Sequence, residues 1–297
     1  VSSANQNRWK VVIPIKEEGP RPPLFLLHSL FGNILNYSAM MHLDEKQPVY
    51  GLQAVGLDGF SEPFQDLQKM MEHYVIELQK VQSHGPYLLA GWSVGGVLAL
   101  ELAHLLQKKG ERILFLGMFD SMVPNETFPP ILKEKNTKMK IIGSKPMSNI
   151  DSSPVKSKRK TLPHPGILSR LPINWPNTRA SSVFAHIVNL LMCRAYKFSG
   201  KPRPHDLREW YLLYSHLTAL KSFKQKKYNI HISYFRSAKM PPDDRPCYGW
   251  DEFTQRDLDI IEIPTQKIGN SLLKAPEFLE ALNLRLRDIY FIHSIPK

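Results

Sequence analysis

The sequence predicts an α/β fold on a mostly parallel central sheet, with helices on both faces. Two observations carry this. Short apolar runs alternate along the chain with amphipathic stretches of helical period, the pattern of strands joined by crossover helices. One junction also reads Gly91-Trp92-Ser93-Val94-Gly95, set between the apolar run Tyr87–Ala90 and the helical run Val97–Leu106. Strand, sharp turn, helix is the context in which a G-x-S-x-G pattern forms a nucleophile elbow.

The elements follow in order. Apolar runs place strands at Lys10–Ile15, Leu24–His28, Val49–Gln53, Tyr87–Trp92, Arg112–Asp120, Ile230–Arg236 and Asp259–Ile263. Leu67, Met70, Met71, Tyr74, Val75, Leu78 and Val81 recur at helical spacing, which predicts a helix from about Phe64 to Gln82. The helix after the elbow runs to Lys109 and stops at Gly110, with Lys108 and Lys109 in its last turn. Phe278, Leu279, Leu282, Leu284 and Leu286 predict a last helix on the sheet. From Pro124 to about Gln225 the rhythm breaks. A Pro- and Lys-rich stretch leads into helical material, Phe184–Met192 and Trp210–Tyr214. That is too long for an ordinary connection, and it reads as a helical lid over the carboxyl edge of the sheet, where α/β ligand sites lie. The division is then residues 1–23 as linker and first strand, and residues 24–297 as one domain with the lid inserted at about 124–225.

Composition narrows the class. A chain of 297 residues, 42% hydrophobic and 22% charged, is that of a globular protein. No apolar stretch spans a bilayer, and the N-terminus carries no basic-then-apolar signal segment. It also lacks an initiator methionine, as a piece of a longer polypeptide would. Two cysteines, Cys193 and Cys247, make no disulfide framework and no metal spacing, which points to a reducing cytoplasm. There is no Rossmann or P-loop glycine pattern. The net charge of +12 raises an anionic partner. Much of it lies in residues 131–160, where eight lysines and Arg159 face only Glu134 and Asp151. No aromatic is interleaved there for base stacking. The stretch reads as a solvated loop or as a patch that meets an acidic protein.

The elbow carries the chemistry. Gly91 and Gly95 could serve only a tight strand–helix junction, but the flanking runs favour an exposed Ser93 Oγ above the sheet with a helix N-terminus behind it. A serine needs a base, and the base needs an orienting acid. In this arrangement the chain order is Ser, then Asp or Glu, then His. Asp120 ends the strand after the elbow helix, which makes it the acid candidate. An oxyanion hole takes the Val94 N–H, directly after the serine, and a second N–H from the loop His28-Ser29-Leu30-Phe31-Gly32-Asn33, for which Leu30 is chosen. His28 precedes Ser93 and reads as orienting that loop.

With these residues placed, the chain resembles the type I thioesterase domains that end nonribosomal peptide and polyketide synthases, relatives of the animal fatty-acid synthase thioesterase. The resemblance rests on Pro23–His28 with Gly32 and Tyr37, on Pro48–Gly59, on Gly85–Gly96 and on Asp120-Ser121. It covers about Trp9 to Pro124, thins across the lid, and returns at Ile230–Arg236 and Gly249-Trp250. It implies an α/β-hydrolase fold and no cofactor bound by the domain. It further implies a substrate presented on the phosphopantetheine arm of an acyl or peptidyl carrier protein upstream in the same polypeptide. Ser93 would accept the acyl or peptidyl group and release it by hydrolysis, cyclisation or transfer.

One departure bears on activity. The family's catalytic histidine follows the last strand, and alignment through Leu273, Lys274 and Pro276 puts that position on Gly269. No histidine lies between His231 and His293. His293 alone keeps the chain order and is the base candidate; His205 and His216 in the lid are further from the pattern. The rival reading is a thioesterase-fold domain that lacks the base and binds an acyl chain or a carrier protein. A nucleic-acid-binding reading rests on charge alone.

Overall fold

The strands are β1 (Val12–Lys16), β2 (Leu24–Leu27), β3 (Val49–Leu52), β4 (Tyr87–Trp92), β5 (Ile113–Phe119), β6 (Ile232–Ser237) and β7 (Leu258–Ile263). The computed structural model, which describes residues 9–124, 179–238, 247–265 and 269–294, joins them in one sheet of order β1-β3-β2-β4-β5-β6-β7. β1 pairs antiparallel with β3, and every other pairing is parallel. Each sequence-predicted strand is present, with ends shifted by a residue or two. All four residues of β2 and the first five of β4 are buried. Parallel strands covered on both faces read as unbroken apolar runs for this reason.

Five helices are described: α1 (Leu67–Gln79), α2 (Val94–Lys108), α3 (Arg179–Ser199), α4 (His205–Leu220) and α5 (Pro276–Ser294). α1 starts later than its apolar spacing predicts because Asp66 caps it, accepting the Lys69 N–H at 2.8 Å. α2 ends before Gly110, whose φ of +84° only glycine adopts freely. α5 and the 3-10 segment Leu35–His42 cover one sheet face. There Leu24, Leu26, Met40, Phe119, Phe235 and Phe278 join one buried cluster. Phe278 meets Phe119 and Phe235 edge-to-face at 4.9 and 5.7 Å. α2 packs on β2, β4 and β5, with α1 against it.

The chain divides into two compact units, residues 1–125 with 189–297, and residues 126–188. The described part of the second unit is residues 179–188, the first half of α3. The basic stretch 131–160 lies outside the described residues. Within the first unit, Cys193 of α3 packs with Leu207 and Tyr211 of α4. Arg203, just before α4, is buried and donates to the Gly59, Phe60 and Ser61 carbonyls. It also pairs with Glu62, which accepts from the Tyr211 hydroxyl at 2.8 Å. α4 is thereby fastened to the loop after β3.

Tyr37 ties the ends of β2 and β4 together. Its hydroxyl is buried, donates to the Leu27 carbonyl at 2.7 Å and accepts the Trp92 N–H at 2.8 Å. Tyr37→Phe leaves both backbone groups buried and unpaired. The expected loss is about 1–3 kcal/mol of unfolding free energy, read from urea midpoints. A loss near zero would mean that water reaches the gap.

Candidate active site

β2, β4 and β5 are parallel neighbours, so the segments after Leu27, Trp92 and Phe119 emerge side by side at the carboxyl edge of the sheet. The turn holding Leu30, the elbow holding Ser93, and Asp120 all stand at that edge. Ser93 has φ 55° and ψ −123°, a conformation that costs about 1–3 kcal/mol and persists only where its surroundings force it. Three contacts force it. The Ser93 N–H donates to the Phe119 carbonyl at 2.9 Å. A Cβ on Gly91 would overlap the Gly95 carbonyl carbon, and a Cβ on Gly95 would overlap the Leu27 carbonyl oxygen. Strand and helix therefore meet closer than any residue but glycine permits, and the turn between them has one shape.

Ser93 is half-buried. Val94 is the first residue of α2, so its N–H has no acceptor within the helix. The Leu30 N–H likewise donates to no backbone carbonyl among the described residues. The Leu30 turn is held from two sides. His28 Nδ1 lies 2.7 Å from the Ser29 carbonyl, and His28 Nε2 lies 2.6 Å from the Tyr74 hydroxyl. A carbonyl can only accept, so Nδ1 carries the proton and Nε2 accepts from Tyr74. The loop-orienting role read for His28 thus has a definite bond. His216 of α4 places its Nδ1 2.6 Å from the Leu30 carbonyl, and its ring stacks on His28 with centroids 4.9 Å apart.

Asp120 is buried and has φ 42°, which Asp tolerates better than most residues. Its N–H donates to the Phe235 carbonyl at 3.0 Å, and its Oδ1 accepts the Ser237 N–H at 2.9 Å. Oδ2 is buried and has no hydrogen-bond partner among the described residues. Burial pushes the Asp120 carboxyl above its ordinary pKa, against the Ser237 hydrogen bonds and the Arg236 charge. No described histidine bonds to Asp120.

His216 commits its Nδ1 to the Leu30 carbonyl and makes no described bond to Asp120. His205 sits at the exposed start of α4 beside Asp206 and Glu209. His293 falls in the last turn of α5, and its side chain lies outside the described residues. α5 begins under Phe119 and Phe235 and runs back toward the amino edge. Arg285 meets Ser233 at the start of β6, and the Tyr290 hydroxyl meets the Pro22 carbonyl just before β2. His293 follows Tyr290 in the same helix, three residues further on. The amino edge holds a cavity lined by Arg112, Arg256, Arg285 and His231, which shares no residue with the Ser93 site. Gly269 opens the 3-10 segment Gly269–Lys274 after β7. No cluster of three or more His, Cys, Asp or Glu that could hold a metal is found among the described residues, nor a helix long and apolar enough to cross a membrane.

Burial pushes the two stacked imidazoles down, His28 to about 3 and His216 to about 4. Folding therefore keeps both neutral, while the unfolded chain protonates them near 6.5. Below that value the unfolded state binds protons that the folded state refuses, so stability falls as pH drops from 6.5 to about 4 and levels off below about 3. Asp120, shifted upward, works in the opposite sense. Urea midpoints at pH 7.5, 5.5 and 4.5 should decline less steeply in His216→Asn than in the wild type. Parallel declines would show that His216 does not titrate with folding.

Comparisons with known proteins match this geometry. Residues 22–135 match the model of the thioesterase domain family. Malpibaldin synthetase of Mortierella alpina is 42% identical over 120 residues, 40% of this chain and 2% of the relative. A dimodular nonribosomal peptide synthase of Bacillus subtilis is 35% identical over 127 residues, 42% of this chain and 5% of the relative. The chain thus spans a small fraction of the curated relatives it matches. The crystal structure of the NocB thioesterase domain from the nocardicin cluster superposes over 95% of this chain and 99% of its own, with a TM-score of 0.58 at 18% identity. Over residues 22–135 the chain is thus similar to the thioesterase domain family, and its fold is the α/β-hydrolase fold of the NocB thioesterase domain.

Proposed function

We propose that the chain accepts an acyl or peptidyl group onto Ser93 from a phosphopantetheine thioester on a carrier protein, and that it hydrolyses the resulting ester slowly. The observation that carries this is the strained, half-buried Ser93 together with a buried Asp120 whose Oδ2 has no partner among the described residues. Ser93 Oγ adds to the thioester carbonyl. The oxyanion accepts hydrogen bonds from the Leu30 and Val94 N–H groups, which act where charge develops. The carbon–sulfur bond then breaks. The sulfur leaves as the arm's thiolate and takes a proton from solvent, and the Ser93 proton passes to water. Water cleaves the ester to an acid and free Ser93, or a nucleophile of the substrate cyclises it. None of these steps calls for a metal. The curated relatives are far longer than the chain, which supports a carrier protein in the same polypeptide. The helical stretch around α3 and α4 serves as the lid.

The slow step follows from residue 269. Asp120 presents a carboxylate oxygen that no described residue meets, and Gly269 stands where the family's pattern puts imidazole. Without a base matched to neutral pH, turnover falls by about 10⁴ to 10⁶. The second reading, a domain that binds acyl chains or carriers without turnover, rests on the same glycine.

Incubation with an acyl-pantetheine thioester, followed by intact-protein mass spectrometry and free-thiol release, separates these. The wild type should gain one acyl group slowly, Ser93→Ala none, and His293→Ala as much as the wild type. Gly269→His should raise hydrolysis at least 100-fold, and Asp120→Asn should remove that gain. No adduct on the wild type or on Gly269→His would leave the binding reading. Fast wild-type hydrolysis lost in His293→Ala would overturn the account of the base.

A further inference from the structure

We propose that His216 is a positioning residue that couples the lid to the oxyanion loop, so that the Leu30 N–H is aimed at the elbow only while α4 is seated. This rests on the reading of Leu30 and Ser93 above.

The argument starts from peptide planes. The one cis bond among the described residues is Gly85–Pro86, so the Ser29–Leu30 peptide is trans. Its N–H therefore points opposite to the Ser29 carbonyl. His28 grips that carbonyl at 2.7 Å, which sets the direction of the Leu30 N–H. His216 grips the next carbonyl, that of Leu30, at 2.6 Å. The two planes flanking the Leu30 Cα are both held, and with them both soft dihedrals of Leu30. One grip comes from the end of β2 in the sheet. The other comes from a helix 186 residues further along.

The site is built for this approach. Gly32 has φ +79°, and a Cβ there would overlap the Ala54 methyl and come within 3.3 Å of His216 Cε1. The His216 ring stacks on His28 with 26° between the two planes, so each imidazole limits the turning of the other. The Gly32 N–H donates to the Ser29 carbonyl at 2.9 Å, and the Ala54 N–H donates to the Gly32 carbonyl at 2.8 Å. Arg203 and Tyr211 anchor the start of α4 through Glu62 and the 59–61 carbonyls. Seating α4 therefore closes two contacts: one on the loop after β3, and one, through His216, on the loop after β2. A ring whose role were only to fill space would need no donor at Nδ1.

Variants of the whole chain separate the hydrogen bond from the packing. His216→Asn keeps a donor near the Nδ1 position and loses the ring. His216→Phe keeps the ring and loses the donor. Two readouts are needed: amide hydrogen exchange of peptides covering residues 28–34, and the rate at which a fluorophosphonate labels Ser93. The proposal expects His216→Phe to speed exchange in 28–34 at least 10-fold and slow labelling about 10-fold. That is less than the 10²- to 10³-fold of deleting an oxyanion donor, because His28 still holds the Ser29–Leu30 plane. His216→Asn should stay within about threefold of the wild type on both. The reverse ranking, or unchanged exchange in His216→Phe, overturns the proposal. A wild-type Ser93 that never labels defeats the Ser93 reading instead, and the exchange result still decides the clamp. If His216→Phe does not fold, the nitrogen shifts of the wild-type imidazole decide: a proton on His216 Nδ1 is expected, and a proton on Nε2 overturns the proposal.

Discussion

The close approach of α2 to β4 is the constraint on which the site depends. Gly91 and Gly95 leave no room for a Cβ between the strand and the helix, and the Ser93 N–H is fixed by the Phe119 carbonyl of the neighbouring strand. The strain at Ser93 is therefore held from two directions that do not involve its own side chain. The same close packing brings the Leu27 carbonyl within reach of both Gly95 and the Tyr37 hydroxyl. Elbow, β2 and the 3-10 segment thus form one rigid block, and the loop bearing Leu30 grows out of it.

Around that block the polar groups are buried and neutral or buried and unsatisfied. His28 and His216 are uncharged because burial outweighs their carbonyl partners. Their hydrogen bonds are consequently directional supports rather than charges. Asp120 is different. It carries a carboxylate into a buried place, satisfies one oxygen on the Ser237 N–H and leaves the other bare. A buried acceptor of this kind costs free energy unless something donates to it. The arrangement suits an imidazole, and the described residues supply none.

α5 shows how direction decides a role. It covers the sheet from the carboxyl edge, where Phe278 packs on Phe119 and Phe235, to the amino edge, where Tyr290 reaches Pro22. Chain order alone would let His293 serve the triad. The helix has crossed toward the amino edge by Tyr290, three residues before His293.

The sequence by itself determined the elements and the elbow. The apolar runs marked seven strands to within a residue or two, most plainly the central β2 and β4, which are buried on both faces and need apolar side chains throughout. The helical spacing of Met70, Met71, Tyr74 and Leu78 marked α1, and the glycines around Ser93 marked the one turn that only glycine can build. These signals are local. What the tertiary structure decided are contacts between residues far apart in the chain: the antiparallel setting of β1, the Tyr37 hydroxyl between Leu27 and Trp92, the Ser237 N–H on Asp120, and the His216 ring on the Leu30 carbonyl. No period or spacing announces such pairs, since each depends on where two elements come to rest in space. His216 looked like lid material with a spare imidazole. Only the fold, by placing α4 over the loop after β2, gave that imidazole a carbonyl to hold.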